Sequence, residues 1–148
     1  MFFSFKMVGF EQLTKKLSGN LTKSPIQDGI KKLTLFIERE AKKGTPVDTG
    51  ALRASINSKY GEFIGIVGTQ QKYAPFVEYG TKPHWAPFRA FEGWAGRHGI
   101  SEAAVWWSVG IKGTKAHHMF QKAMDKANDR IGDFIKDVGN AISVRWNS

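Results

Sequence analysis

The stretch Thr45–Ile56, TPVDTGALRASI, lies between a predicted helix and a predicted strand. Pro46 fixes its own φ angle and prevents the preceding helix from continuing. The Asp48 carboxylate can accept hydrogen bonds from backbone N–H groups just ahead of it, as in an Asx turn or a helix N-cap, and Thr49 and Gly50 are common turn residues. The stretch is therefore predicted to be the turn that joins the first long helix to a sheet.

The helix before this turn is predicted to run from Ser24 to about Lys43. Ser24 suits the N-cap position, and Pro25 suits the first helical position. Gly44 is predicted to be a left-handed cap at the C-terminal end. The apolar residues that recur at helical spacing, with Phe36 beside them, are Ile26, Ile30, Leu33, Ile37 and Ala41.

The sequence around the turn predicts a small antiparallel sheet. Phe2–Val8 is compatible with a short strand, and Gly9–Leu17 with a short helix. Ala51–Ile56 is predicted to begin with a helical turn and then to extend. Asn57–Glu62 is predicted to be a hairpin connection, and Phe63–Gly68 the returning strand.

The second half of the chain is predicted to be mostly helical. After an extended loop at Lys82–Arg89, two short helices are expected at Phe91–Gly99 and Ser101–Gly110. A long helix is expected at His117–Ala141, followed by a short terminal strand at Val144–Trp146. The buried stripe of that long helix is predicted to be Phe120, Ala123, Ala127, Ile131, Phe134 or Ile135, Val138 and Ile142.

Taken together, these elements predict one α+β domain over residues 1–148. Its small antiparallel sheet packs against an N-terminal helix and a long C-terminal helix, with short helices inserted between them.

Composition limits the classes of function. With 22 basic and 13 acidic residues, the chain has a net charge of +9, which favours an acidic partner such as nucleic acid or an acidic protein face. The basic residues are scattered, so solubility with weak non-specific binding is the alternative. The absence of cysteine excludes disulfides, thiolate metal sites and a cysteine nucleophile. No apolar run approaches the ~20 residues that span a bilayer, so no membrane association is expected.

Two motifs resemble catalytic or metal-binding sequences, but structural roles explain both of them better. Asp48-Thr49-Gly50 is the triplet of aspartic proteases, whose site needs two carboxylates that share a proton. No second apolar segment is placed to support such a site, so a turn-forming aspartate is favoured. His117 and His118 are adjacent and would point about 100° apart on a helix, unlike the i, i+4 pair that a metal favours. We predict no catalytic residue, no metal and no cofactor.

Aromatic residues concentrate between Tyr73 and Trp107, with basic residues among them. A platform for single-stranded nucleic acid is one interpretation. A core and subunit interface is favoured, because no paired aromatic strand motif is present. The candidate subunit or partner interface comprises Trp85, Phe88, Trp94, Trp106 and Trp107. The candidate contacts to channel DNA or to an acidic partner are Lys82, Arg89, Arg97, Lys112 and Lys115.

Three motifs in order carry a family resemblance. Thr45–Ile56 is followed by Tyr73–Thr81, YAPFVEYGT, and then by Gly113–Phe120, GTKAHHMF. Together with the insert Phe91–Gly99, they resemble the HK97 gp10-like family of tailed-bacteriophage proteins over roughly residues 26 to 127.

The resemblance implies a non-catalytic structural protein of the virion neck, made in the cytoplasm of the bacterial host. It implies a tail-completion or head–tail joining subunit of a homo-oligomeric ring, hexameric or dodecameric, around the DNA channel. The implied partners are head-closure or connector proteins, tail-terminator or tail-tube proteins, and double-stranded DNA in transit. Glu78–Thr81 would order the loop beside Asp48 and Gly50. The implied structural turn residues are Pro46, Asp48, Thr49, Gly50, Tyr73, Glu78, Gly80 and Thr81. A nucleic-acid-binding module is the first alternative, and an aspartic protease the second.

Overall fold

A three-stranded antiparallel sheet forms one side of the molecule. The computed structural model describes residues 1–6 and 20–147. Strands β1 (Phe2–Lys6), β2 (Asn57–Tyr60) and β3 (Ile64–Gly68) lie in the order β1–β3–β2. The central strand β3 is the most apolar of the three and buries Val67, which pairs with Phe3 of β1 and Ser58 of β2.

One long helix packs against the sheet, and two C-terminal helices pack against that helix to enclose the core. Helix α1 (Asn20–Gly44) packs against the sheet and against two helices at the C-terminal end, α6 (Met119–Asp129) and α7 (Ile131–Trp146). The ring of Phe3 stacks on the buried ring of Phe120, with centroids 5.0 Å apart. The main buried cluster comprises Leu33, Ile37, Ala41, Leu52, Ile56, Val67, Ala74, Met119, Phe120, Ala123 and Ala127. The predicted α+β class and the predicted stripe of α1 are confirmed.

The remaining helices are short. Helix α2 (Ala51–Ser55) follows the turn of residues 45–50, and α3 (Ala74–Tyr79) follows β3. Residues 82–112 form an inserted lobe, which contains a 3₁₀ helix (Phe88–Phe91), α4 (Glu92–His98) and α5 (Glu102–Lys112). The two short helices predicted at Phe91–Gly99 and Ser101–Gly110 are therefore confirmed.

The predicted end of α1 at about Lys43 is confirmed, but its predicted start and its predicted left-handed cap are wrong. The helix begins at Asn20 and not after Ser24, and Pro25 lies inside it. A proline so near the N-terminal end removes one backbone donor and leaves the rest of the hydrogen-bond ladder intact. Gly44 is not left-handed. Thr45 takes the capping role, because its hydroxyl donates a hydrogen bond of 2.7 Å to the carbonyl of Ala41.

The predicted hairpin connection at Asn57–Glu62 is also wrong, since Asn57–Tyr60 is strand β2. This strand lies at an edge of the sheet and is mostly exposed, so its sequence is polar and resembles a loop. The strands expected at Phe2–Val8 and Phe63–Gly68 are confirmed in β1 and β3. The helix expected at Gly9–Leu17 lies outside the described residues.

The long C-terminal helix is divided in two at Arg130, and the predicted terminal strand Val144–Trp146 is helical. Beyond the break Ile131 is exposed, contrary to prediction. Of the alternatives Phe134 and Ile135, Phe134 packs on the core and Ile135 is exposed, and Val138 is buried as predicted. Phe120, Ala123 and Ala127 are buried as predicted, and Ile142 packs against the buried cluster around Val138.

Candidate subunit and partner interface

Glu78 is a buried carboxylate that caps helix α6. It is fully buried, and its two oxygens accept hydrogen bonds of 3.0 Å from the backbone N–H groups of Phe120 and Gln121. Those donors lie in the first turn of α6, where no partner exists within the helix and where the helix dipole favours negative charge. The resemblance implied that Glu78 orders the loop beside Asp48, whereas the structure has it hold the start of α6.

The backbone around Glu78 strengthens this junction. The N–H of His117 donates to the carbonyl of Val77, and that of His118 donates to the carbonyl of Glu78, both at 3.0 Å. His118 adopts a left-handed conformation, with φ of 52°, immediately before α6. Both imidazoles are exposed. The described residues contain no group of three or more side chains that could hold a metal.

Two close-packed glycines form the stem of the inserted lobe. Thr81 and Thr114 exchange backbone hydrogen bonds of 3.2 Å and so bring the two ends of the lobe together. Gly80 and Gly113 precede them, with φ of 71° and 73°. A Cβ atom on Gly113 would lie 2.0 Å from the Thr81 carbonyl oxygen, and one on Gly80 would lie 2.4 Å from that of Thr114. Only glycine fits at either position.

The turn of residues 45–50 is anchored at both ends. At its start, the Thr45 carbonyl accepts a hydrogen bond of 3.2 Å from the Arg53 guanidinium. At its end, Gly50 has φ of 81° and occupies the N-cap position of α2. The expected side-chain cap on this helix is not formed, because the Asp48 carboxylate has a different partner.

That partner is Arg97 of the inserted lobe. Its Nε and Nη2 atoms donate to the two Asp48 oxygens at 2.7 and 2.6 Å, which is the planar bidentate geometry. The Arg97 hydrogen bonds lower the pKa of Asp48, and the same bonds raise the pKa of Arg97. A carboxylate held ionised in this way is poorly suited to sharing a proton with a second aspartate, as an aspartic protease requires.

A groove of about 780 Å³ separates the turn and α3 from the inserted lobe. One wall carries Val47, Tyr73 and Phe76, and the other carries Trp94 and Val109. Thr114, Lys115 and His117 close one end. The three sequence motifs of the resemblance therefore line one predominantly apolar groove.

Four of the five predicted interface aromatics form one exposed cluster on the lobe. The ring of Trp85 lies 4.5 Å from that of Trp106 and 5.7 Å from that of Trp107, and Phe88 contacts Trp106 edge to face at 6.0 Å. Trp106 donates its indole N–H to the Ala86 carbonyl at 2.8 Å, which fixes the cluster. Trp85, Phe88 and Trp107 are 45–59% exposed.

Trp94 is separate from this cluster. It lines the groove and stacks on His98, with ring centroids 4.1 Å apart.

The predicted basic contacts divide into two kinds. Arg97 is committed to Asp48, so its charge is neutralised within the chain. Lys82, Arg89, Lys112 and Lys115 are exposed and form no ion pair with any residue that the structure describes. These four remain candidates for contact with an acidic partner.

Glu40 is a buried charged residue whose structural role the sequence did not reveal. Its buried carboxylate on α1 accepts hydrogen bonds from Lys43 at 2.8 Å and from Lys126 of α6 at 2.9 Å. The hydrogen bonds from Lys43 and then from Lys126 lower its pKa to about 2. The pair with Lys43 has an i, i+3 spacing visible in the sequence, but the pair with Lys126 spans 86 residues and has no local signal.

Comparison with protein families finds a match to the model described as "Bacteriophage HK97-gp10, putative tail-component", over residues 10–80. Residues 10–80 are therefore similar to the HK97-gp10-like family. The predicted resemblance is confirmed for the turn of residues 45–50 and for the second motif as far as Gly80. Searches of curated proteins and of solved structures found no significant match.

The family match covers just under half of the chain and makes this part of it similar to a phage tail-component family. The inserted lobe and the third motif, Gly113–Phe120, lie outside the matched residues, so the wider resemblance stays a prediction there. The third motif is nevertheless joined to the matched part through Glu78 and the Gly80–Thr81 stem. Across residues 1–6 and 20–147, no helix is long and apolar enough to cross a bilayer.

Proposed function

We propose that the protein is a non-catalytic structural subunit of the virion neck, which assembles as a ring around the DNA channel and joins head to tail. The observation that carries the proposal is the match of residues 10–80 to a tail-component family. That family is one of structural components, and the buried polar side chains found here, Glu78 and Glu40, hold helices in place.

The exposed apolar surface supports a ring. A ring needs two different, complementary surfaces on each subunit, because its contacts are heterologous. The aromatic cluster of the lobe supplies one exposed apolar surface. Helix α7 supplies another, with Ile131, Ile135, Val144 and Trp146 all 41–70% exposed.

The charge of the molecule supports contact with DNA or with acidic neighbours. The net charge is +9, and the inserted lobe and its stem carry Lys82, Arg89, Lys112 and Lys115 on the surface. Basic side chains facing a channel would interact with phosphates without reading sequence.

Deletion of the gene in the phage that encodes the chain tests the neck assignment. We expect electron micrographs of the lysate to show filled heads and separate tails, and plasmid-borne wild-type protein to restore joined particles. Normal joined particles after deletion would refute the proposal.

A nucleic-acid-binding module is the second candidate, favoured by the aromatic cluster beside basic side chains. It requires that the isolated chain bind DNA with an affinity that falls steeply as salt rises. It also requires that Lys112→Ala and Lys115→Ala reduce that slope by about one each. The neck proposal does not require the isolated chain to give either of these results.

A further inference from the structure

The inserted lobe is structurally separate from the body of the molecule. Of the residues that the structure describes, none between 82 and 112 belongs to the buried clusters around α1. The lobe has its own internal contacts instead, including the hydrogen bond from the Val105 N–H to the Ser101 carbonyl and that from the Ile100 N–H to the Ala95 carbonyl. A groove of about 780 Å³ lies between the lobe and the body.

The lobe is attached at two points. One is the stem at the junction of the body with the lobe. There Gly80 and Gly113 both have positive φ and directly precede Thr81 and Thr114, which pair in an isolated antiparallel bridge. Element-terminal residues of this kind absorb the backbone rotations of hinge motions. The other is the Asp48–Arg97 pair, which supplies the only hydrogen bonds between described side chains of the lobe and the body on the far side of the groove.

We propose that residues 82–112 form a hinged lid over the groove, with the Gly80/Gly113 stem as its hinge and the Asp48–Arg97 pair as its latch. The lid turns as a unit, since its internal hydrogen bonds do not cross the hinge. Opening widens the groove and uncovers Val109, which is 8% exposed, whereas Val47, Tyr73 and Phe76 on the opposite wall are already 43–59% exposed. The latch is exposed, with about half of the Arg97 side chain accessible, so it stabilises the closed form only modestly.

Thiol labelling tests the lid directly, because the chain contains no cysteine. Val109 lines the groove from the lobe side and is 8% exposed, so Val109→Cys places one protected thiol under the lid. In that background, Asp48→Asn and Arg97→Gln are each expected to raise the labelling rate roughly fivefold. Glu62→Gln is the matched control, because it breaks the exposed Lys23–Glu62 pair away from the lobe and should leave the rate unchanged.

Hydrogen exchange at the Ile100 and Val105 amides, which bond to carbonyls within the lobe, separates a turning lid from an unfolding lobe. The lid proposal requires these internal amides to stay protected while labelling accelerates. It is overturned if neither latch variant changes the labelling rate, if Glu62→Gln changes it equally, or if the two amides lose protection in step with labelling.

Discussion

At the scale of single residues, Glu78 has a defined structural role, because its fully buried carboxylate accepts hydrogen bonds from two backbone N–H groups. Glu78→Gln keeps the side-chain size but turns one acceptor into an NH₂ group that faces an N–H donor. We expect this change to lower the free energy of unfolding by about 2–3 kcal/mol, measured by urea denaturation.

Glu62→Gln is the control for that measurement, since Glu62 forms an exposed ion pair with Lys23. Its effect should stay within about 0.5 kcal/mol. Equal stabilities for the two variants would show that Glu78 does not cap α6.

Gly113 is the second residue whose identity is dictated by its surroundings. Its φ is 73°, and an added Cβ would lie 2.0 Å from the Thr81 carbonyl oxygen. Gly113→Ala should therefore destabilise the protein by about 2 kcal/mol or more. Gly96 lies within α4, where an added Cβ meets nothing within 4 Å, so Gly96→Ala should raise the stability by up to about 1 kcal/mol. The melting temperatures of both variants compare the two glycines. A Gly113→Ala variant that is more stable than the wild type would contradict the close packing of the stem.

At the scale of elements, Glu40 joins helix α1 to helix α6 through Lys126. Its folded-state pKa of about 2 lies below the ordinary value of 4.5, so the unfolded chain takes up this proton more readily than the folded chain. The stabilisation from Glu40 is therefore complete above about pH 4.5 and is lost as the pH falls toward 2.

Glu40→Gln removes this titration. We expect the variant to be less stable than the wild type at neutral pH, with a smaller difference between the two proteins at acid pH. Urea unfolding at a series of pH values measures the difference. Lys126→Met should reproduce part of the effect, because it removes one of the two lysine donors and leaves Lys43 in place. A difference independent of pH would contradict the assigned ion pair.

The sequence predicted elements whose signal is local. The apolar stripe of α1, the strand β3 and the short helices of the lobe all follow from periodicity and from turn residues. Strand β2 was missed because an edge strand with one solvated face can be polar throughout. The break at Arg130 is marked only by Gly132, two residues further on, and an isolated glycine is tolerated in a helix, so the periodic pattern continued across the break and placed Ile131 wrongly in the core.

The candidate site was predicted in part. Gly50, Gly80 and Thr81 occupy the turns that their residue types favour. The partners of Asp48 and Glu78 lie 49 and 42 residues further along the chain, and no local pattern identifies contacts at such distances. Those contacts depend on how the lobe and α6 pack against the rest of the molecule, which is decided by the tertiary structure.

At the scale of the whole molecule, the proposed ring predicts that the exposed tryptophans lie in a contact between subunits, since large apolar patches mark interaction sites. Trp107 is 59% exposed and lies at the margin of the cluster. Trp107→Ser should weaken self-association about tenfold or more, as removal of a buried interface aromatic does, and leave the monomer's thermal stability nearly unchanged.

Light scattering over a range of concentrations measures that association. Leu35→Ser is the matched control, because Leu35 is 45% exposed on α1, away from the lobe. Association that weakens equally in both variants would show that the aromatic cluster has no specific part in subunit contact.

The central claim is that the protein lies in the virion neck, where head and tail meet. Electron microscopy of intact particles, labelled with gold-conjugated antibody to this chain, tests it most directly. We expect the gold particles to lie at the junction of head and tail. Label distributed along the tail, confined to its distal tip, or absent from the particles would contradict it.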